Sequence, residues 1–283
     1  MKIFSTILFL TIFILPTKSQ LISGKIIDSS NGKPLEYVSI GVPETSIGAI
    51  SDENGNFKID VTGQPLEGTI RFSLISYDSH VYKIGELCNK ENIIELKPAP
   101  AQLSDVIVKP QGDLKIVGNS EDSKYHGGWP GSEYGGGHES GLKVRLGSQP
   151  VKILDMHFNV TIQSFDTSYF RLHIRSIEKG MPSKELLKEN IMFSITQSSG
   201  LVNIDLSNYN LIFKGDVAIT LEWVKVIGLN EKKLYKFYDG TKRPVVLFRY
   251  SKKGAHYTKR GAENKWIKTR GIPCYYFTVQ NLK

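Results

Sequence analysis

From Gly24 to Tyr77 the chain alternates apolar and polar residues in short runs, and each run is cut by Gly, Pro or Asx residues. Period-two alternation is what a half-buried β-strand requires, and the interruptions supply backbone conformations that end strands. Residues 23–28 form the first such run. Residues 29–32, Ser-Ser-Asn-Gly, supply a hairpin turn, because Asn-Gly accepts positive φ at both central positions. Residues 37–42 make a second strand, residues 43–46 loop out and residues 47–50 return. After the tight turn at 52–56, residues 57–61 place Phe57, Ile59 and Val61 on one face. Residues 69–77 form the longest strand and residues 92–96 close the unit. About seven strands in about 80 residues predict a small β-sandwich.

The ordered set Gly24…Asp28, Gly32-Lys33-Pro34-Leu35, Val38-Ser39-Ile40, Gly48, Ser51-Asp52-Glu53-Asn54-Gly55-Asn56-Phe57 and Phe72-Ser73…Ser76-Tyr77 resembles the carboxypeptidase regulatory-like domain, a transthyretin-like sandwich. The resemblance covers about residues 21–98. Ser51 departs from the usual Thr, and Ser76 from the usual Gly. The resemblance implies an accessory module that is not itself a peptidase. It also implies the Gram-negative envelope, where such modules precede TonB-dependent receptors or extracellular peptidases. Residues 103–108, Leu-Ser-Asp-Val-Ile-Val, are similar to the strand that follows the module in those receptors. About 170 residues remain after it, too few for a receptor plug and barrel. Asp52, Glu53 and Asn54 are oxygen ligands in a cluster, but a turn that needs Asx and Gly accounts for them without calcium.

Residues 1–19 read as a cleaved export signal. Lys2 precedes an apolar run of about 13 residues, too short to span a bilayer, and small residues follow Pro16. Cleavage is expected near Ser19–Gln20, leaving no transmembrane segment. The formal charge of +8 is concentrated late, with 14 basic and 3 acidic side chains in residues 229–283. Lys232, Lys233, Lys252, Lys253, Lys259 and Arg260 are the candidate contact for an anionic envelope polymer. No nucleic acid partner is expected of an exported chain. Cys88 and Cys274 are too few for a disulfide scaffold and are expected as small buried hydrophobes, with a disulfide as the alternative.

Residues 99–141 are expected to link two domains, with a Pro/Ala connector and a glycine-rich loop over 118–141. In that loop Trp129 and Tyr134 are candidates for stacking on a sugar. His126, His138 and Glu139 fit no standard metal-ligand spacing. Strand signals resume over 142–283, with one helical turn expected at 180–187 and Ser183 as its N-cap. Eight to ten antiparallel strands over about 140 residues predict a jelly-roll-like sandwich. The run Pro182…Leu186…Asn190-Ile191, residues 200–209 and residues 219–223 also look like jelly-roll modules of bacterial surface and secreted proteins, a similarity covering roughly residues 140–228; some relatives of that shape bind carbohydrate. Trp223 is expected in the core, and His157 and His173 on the outer faces of their strands.

Catalytic motifs are missing from the sequence. The residues three after each histidine are Lys83, Trp129, Gly141, Val160, Ser176 and Lys259, so no His-x-x-Glu pair can begin a zinc carboxypeptidase site. No nucleophile elbow and no phosphate-binding loop occur. The chain is therefore expected to be all-β: a transthyretin-like sandwich over 20–98 followed by a jelly-roll-like sandwich over 142–283. Its expected role is non-enzymatic, with no cofactor and no metal, contacting a glycan, an anionic envelope polymer or an outer-membrane protein partner. The alternative is a glycan-degrading or peptidase-associated enzyme with a carboxylate pair in the second domain, Glu222 with Asp155 or Asp205.

Overall fold

The computed structural model describes residues 19–99, 110–130 and 136–282. Most of the expected export signal, the 103–108 strand and Tyr134 lie outside the described residues. The first sandwich holds β1 (Leu21–Asp28), β2 (Ser39–Gly41), β3 (Gly48–Ile50), β4 (Asn56–Asp60), β5 (Thr69–Ser73), β6 (His80–Lys83), the single-turn helix α1 (Ile84–Leu87) and β7 (Glu91–Leu96). One sheet runs β4-β1-β7 and the other β3-β2-β5-β6. β1 shows why alternation predicts the element: Ile22, Gly24, Ile26 and Asp28 are buried or closely packed, and Lys25 faces water. Ile22, Ile26, Val38, Ile40, Phe57, Ile59, Ile70 and Phe72 join in one core between the sheets.

The two ends of the recognisable pattern are tied together here. The Tyr77 hydroxyl donates to Asp28 Oδ2 at 3.0 Å, and Asp28 Oδ1 accepts from the Ser30 main chain at 2.7 Å to shape the hairpin. The buried Ser51 hydroxyl accepts from Val38 N at 2.8 Å and donates to Leu35 O at 3.0 Å. A hydroxyl is therefore needed at this position, which Ser supplies as well as Thr. Ser76 takes φ +73°, the left-handed region that makes Gly usual there. Asp52 Oδ1 accepts from the main chain of Asn54 and Asn56, both at 2.8 Å, so this carboxylate shapes a turn.

The second sandwich begins earlier than its sequence suggests. β8 (Pro110–Gly118), β9 (His126–Pro130) and β10 (His138–Arg145) occupy much of the stretch expected to be linker and loop. β8 pairs with the last strand, β9 with the middle strand and β10 with two neighbours. The glycines serve close packing rather than flexibility. A Cβ on Gly128 would run into the Val246 main chain, and one on Gly141 into that of Ile219.

The remaining strands are β11 (Val151–Gln163), β12 (Phe165–Glu178), β13 (Met181–Glu185), β14 (Met192–Ile195), β15 (Gly200–Asp205), β16 (Ile212–Phe213), β17 (Asp216–Leu229), β18 (Tyr235–Lys236), β19 (Lys242–Arg243), β20 (Val245–Lys259), β21 (Ile267–Pro273) and β22 (Tyr275–Leu282). The large sheet runs β13-β12-β17-β10-β20-β11-β22-β8, with β9, β14, β15, β16 and β21 paired off this path and β18-β19 a separate pair. β20 belongs to both halves: Val246–Phe248 pair with β11, and Tyr257–Lys259 with β10. The chain is thus all-β in sandwich form, as expected. The helical turn expected at 180–187 is instead β13, paired with β12, and Ser183 caps no helix. Phe158, Phe170, Phe248, Tyr275 and Trp129 pack ring to ring in the second core, with Trp223 against them. Cys88 and Cys274 are free thiols, the first half-buried and the second buried.

Candidate binding cleft between the two sandwiches

Arg171, His173 and Arg175 alternate along β12 with the apolar Phe170, Leu172 and Ile174, so the three ionisable residues share one face of the strand. β17 brings Thr220 and Glu222 beside them, and β10 brings Glu139. In register, Arg171 faces Glu222, Glu222 faces Glu139 and Glu139 faces Lys259, a charged row across four adjacent strands. This is the outward face of its sheet, yet Arg171 is 1%, Glu139 1% and Glu222 3% exposed. The first sandwich covers it.

Arg171 bridges the two units. It pairs through Nη1 with Glu222 Oε2 at 2.7 Å and donates to Ser39 Oγ at 3.0 Å and to the Tyr37 carbonyl. Ser39 in turn donates to Glu222 Oε1 at 2.8 Å. His173 lies between two carboxylates, with Nδ1 2.7 Å from Glu185 Oε2 and Nε2 3.1 Å from Glu222 Oε2. Arg175 pairs with Glu139 and donates to Thr220 Oγ1 at 3.0 Å. Lys259 Nζ is 3.2 Å from Glu139 Oε2. On the rim, Glu263 of the second sandwich accepts from Arg71 and Ser73 of the first, each at 3.2 Å. Lys225–Glu53 and Lys265–Glu44 add ion pairs across the junction, each at 2.8 Å.

Burial opposes ionisation of Glu222, but Arg171 and His173 prevail and hold its carboxyl at about 2. Burial opposes Glu139 too, and Arg175, His173 and Lys259 hold it far below the ordinary carboxylate range. Glu185 is likewise lowered, against its burial, by His173 and Arg175. His173 is pushed down by burial and by Arg175, yet Glu139 and Glu185 outweigh them and raise it above the usual imidazole value. The cations thus favour the ionised form of all three carboxylates, and the glutamates favour the protonated form of the imidazole.

A cavity of about 520 Å³ opens beside this row, walled by both sandwiches and lined in part by Trp266. Arg175 and Lys259 lie over the Trp266 ring at 5.3 and 5.0 Å. Among the described residues, no three His, Cys, Asp or Glu side chains converge on a metal geometry.

The residues singled out in the sequence are dispersed. Trp129 is 1% exposed and belongs to the core, so its ring is not presented to a sugar. Lys259 turns into the cleft, while Lys232, Lys233, Lys252 and Lys253 are exposed. Lys252 lies 3.8 Å over the Tyr125 ring, and Arg260 lines a separate, smaller pocket with His138. Asp155 and Asp205 face each other between β11 and β15, and Glu222 makes its contacts with Arg171, His173 and Ser39 instead. His173 does lie on the outer face of its strand, but that face is covered. The available signal was the Arg-x-His-x-Arg alternation in β12, together with Glu222 inside an apolar run.

No curated protein matches the chain. Among solved structures it is similar to the cysteine protease and lectin-like domains of Cwp84, a surface layer associated protein of Clostridium difficile, at 11% identity and TM-score 0.37. That likeness covers 94% of this chain, which spans 59% of the other. A second likeness is to the T13 IBDV viral particle, at 13% identity and TM-score 0.25, covering 93% of this chain and 61% of that one. Residues 22–108, which include the first sandwich except Leu21 at the start of β1, match the model of the CarboxypepD_reg-like domain family.

Proposed function

We propose that this protein is an exported, non-enzymatic binding protein of the cell envelope whose regulatory-like sandwich and jelly-roll-like sandwich together form a glycan-binding cleft. The observation that carries this reading is the state of the buried carboxylates. Acid-catalysed glycoside hydrolysis needs one carboxyl held protonated near neutral pH, with a raised pKa. Glu139, Glu185 and Glu222 are all shifted the other way by the cations that pair with them. The match of residues 22–108 to a non-catalytic type of domain supports the same reading. Exposed Lys232, Lys233, Lys252 and Lys253 form a second, salt-sensitive contact to an anionic envelope polymer or outer-membrane partner.

A glycan array probed with the purified chain, beside a hydrolysis screen on the same glycans, tests this reading. Retention without product release is the expected outcome. Turnover of any glycan on the array, or retention of none, overturns it. Export is tested by fractionation: the chain belongs with the envelope, shortened at its N-terminus, and an intact cytoplasmic chain contradicts this.

A further inference from the structure

The cleft has a chemical bias that its charged residues do not show individually. Every carboxylate oxygen on its walls is already engaged. Glu139 Oε1 accepts from Arg175 and Thr220, and Oε2 faces Lys259. Glu222 Oε1 accepts from Ser39, and Oε2 pairs with Arg171 and His173. Glu185 Oε1 accepts main-chain N–H groups of Ile174, Leu186 and Leu187, while Oε2 meets His173 and Arg175. Glu263 divides its oxygens between Ser73 and Arg71.

The cations are not used up in the same way. A guanidinium carries five N–H groups and an ammonium three. Arg71 spends Nη1 on Glu263 and Nη2 on Ser79, leaving N–H groups over. Arg175 makes its contacts through Nη1 and Nη2 and leaves Nε–H. Lys259 has two partners, Glu139 and the Ala262 carbonyl. Lys184 stands exposed on the rim in β13, and its ammonium has no side-chain partner among the described residues. Arg71, Arg171, Arg175, Lys184 and Lys259 face four glutamates, with the His173 imidazole among them. The cleft is therefore short of acceptors, rich in unspent donors and positive.

We propose that the cleft is specific for acidic saccharides, with the carboxylate, sulfate or phosphate of the sugar held at Lys184, Arg175 and Lys259. This rests on the glycan-binding reading above and adds the charge of the ligand. Charge-assisted hydrogen bonds to an oxyanion are the strongest use of those donors. The hydroxyls of Ser79 and Ser183 line the same cavity and suit a polyhydroxylated ring, while those of Ser73 and Ser76 are donated to Glu263 and to the Lys188 carbonyl. Its volume of about 520 Å³ lies within the usual range of small-molecule sites, about 300–1,000 Å³.

The test uses the purified chain on an array of uronate-, sialate-, sulfate- and phosphate-bearing oligosaccharides beside their neutral counterparts. The acidic members are expected to be retained and the neutral ones not. Affinity for the best retained acidic probe is then measured for Lys184→Gln and for Lys115→Gln, an exposed β8 residue outside the cavity. Lys184→Gln alters only an exposed side chain and should leave the melting temperature unchanged while weakening binding about tenfold. Lys115→Gln should bind like the parent. If Lys115→Gln weakens binding equally, or if Lys184→Gln has no effect, the cleft is not the site and the proposal falls. Equal retention of neutral probes also overturns it while leaving the glycan-binding reading intact. Retention of neither class removes both.

Discussion

Arg171 donates from Nη1 to the Ser39 hydroxyl at 3.0 Å, joining a strand of the second sandwich to a strand of the first at a point closed to water. The same nitrogen pairs with Glu222. One guanidinium therefore neutralises a buried carboxylate and holds the covering domain over it.

Removing that guanidinium should be far more damaging than removing the whole pair. Arg171→Met leaves Glu222 buried with one cation fewer, an expected loss of about 3–5 kcal/mol in urea unfolding. Arg171→Met combined with Glu222→Met removes both charges and should recover much of that loss. A double variant as unstable as the single one would show that the pair organises more than its own charges.

The two buried histidines give stability opposing slopes on either side of pH 6.5. His173 is raised above its ordinary value of 6.5, so its contribution is complete below 6.5 and is lost as pH rises through the raised value. His138 is lowered, chiefly by burial and also by Arg260, to about 4; its contribution is complete above 6.5 and is lost as pH falls toward 4. That acid limb is worth on the order of 3 kcal/mol. His173→Gln should flatten the alkaline limb and leave the acid limb, as read by unfolding at a series of pH values. An unchanged alkaline limb would remove His173 from the account.

Trp129 should behave as a core residue. Trp129→Ala is expected to lose about 3–5 kcal/mol of stability. Trp129→Phe should fold and retain whatever glycans the parent retains. Selective loss of glycan retention in a well-folded Trp129→Phe would return this ring to the binding surface.

Gly24 is required for steric reasons. A Cβ there would run into the Asn92 main chain, where β1 pairs in parallel with β7. The obstacle is backbone, so Gly24→Ala should destabilise by about 2–4 kcal/mol. A melting temperature equal to that of the parent would contradict the pairing of β1 with β7.

Much of the first sandwich is legible because its determinants are local. Asp52, Asn54, Gly55 and Asn56 build their turn from neighbours, and Phe57, Ile59 and Val61 declare one buried face by spacing alone. Ser76 is legible too, since a position that favours Gly implies the positive φ it adopts. The glycine-rich stretch misleads because glycine has two uses. Composition alone does not separate a loop from a strand packed so tightly that no Cβ fits, as at Gly128 and Gly141.

By itself, the sequence determined which residues point to which side of the strands that its alternation declares. It put His173 on the outer face of β12, with Arg171 and Arg175, and that is where they lie. Only the tertiary structure decided what that face meets. Register brings Arg171, Glu222, Glu139 and Lys259 into one row from strands as distant as β10 and β20, and the first sandwich then closes over it. Alternation records side-chain direction within a strand. The identity of the neighbour across a sheet, or across a domain boundary, depends on pairings between residues more than a hundred positions apart, such as Ser39 and Arg171, which no local pattern encodes.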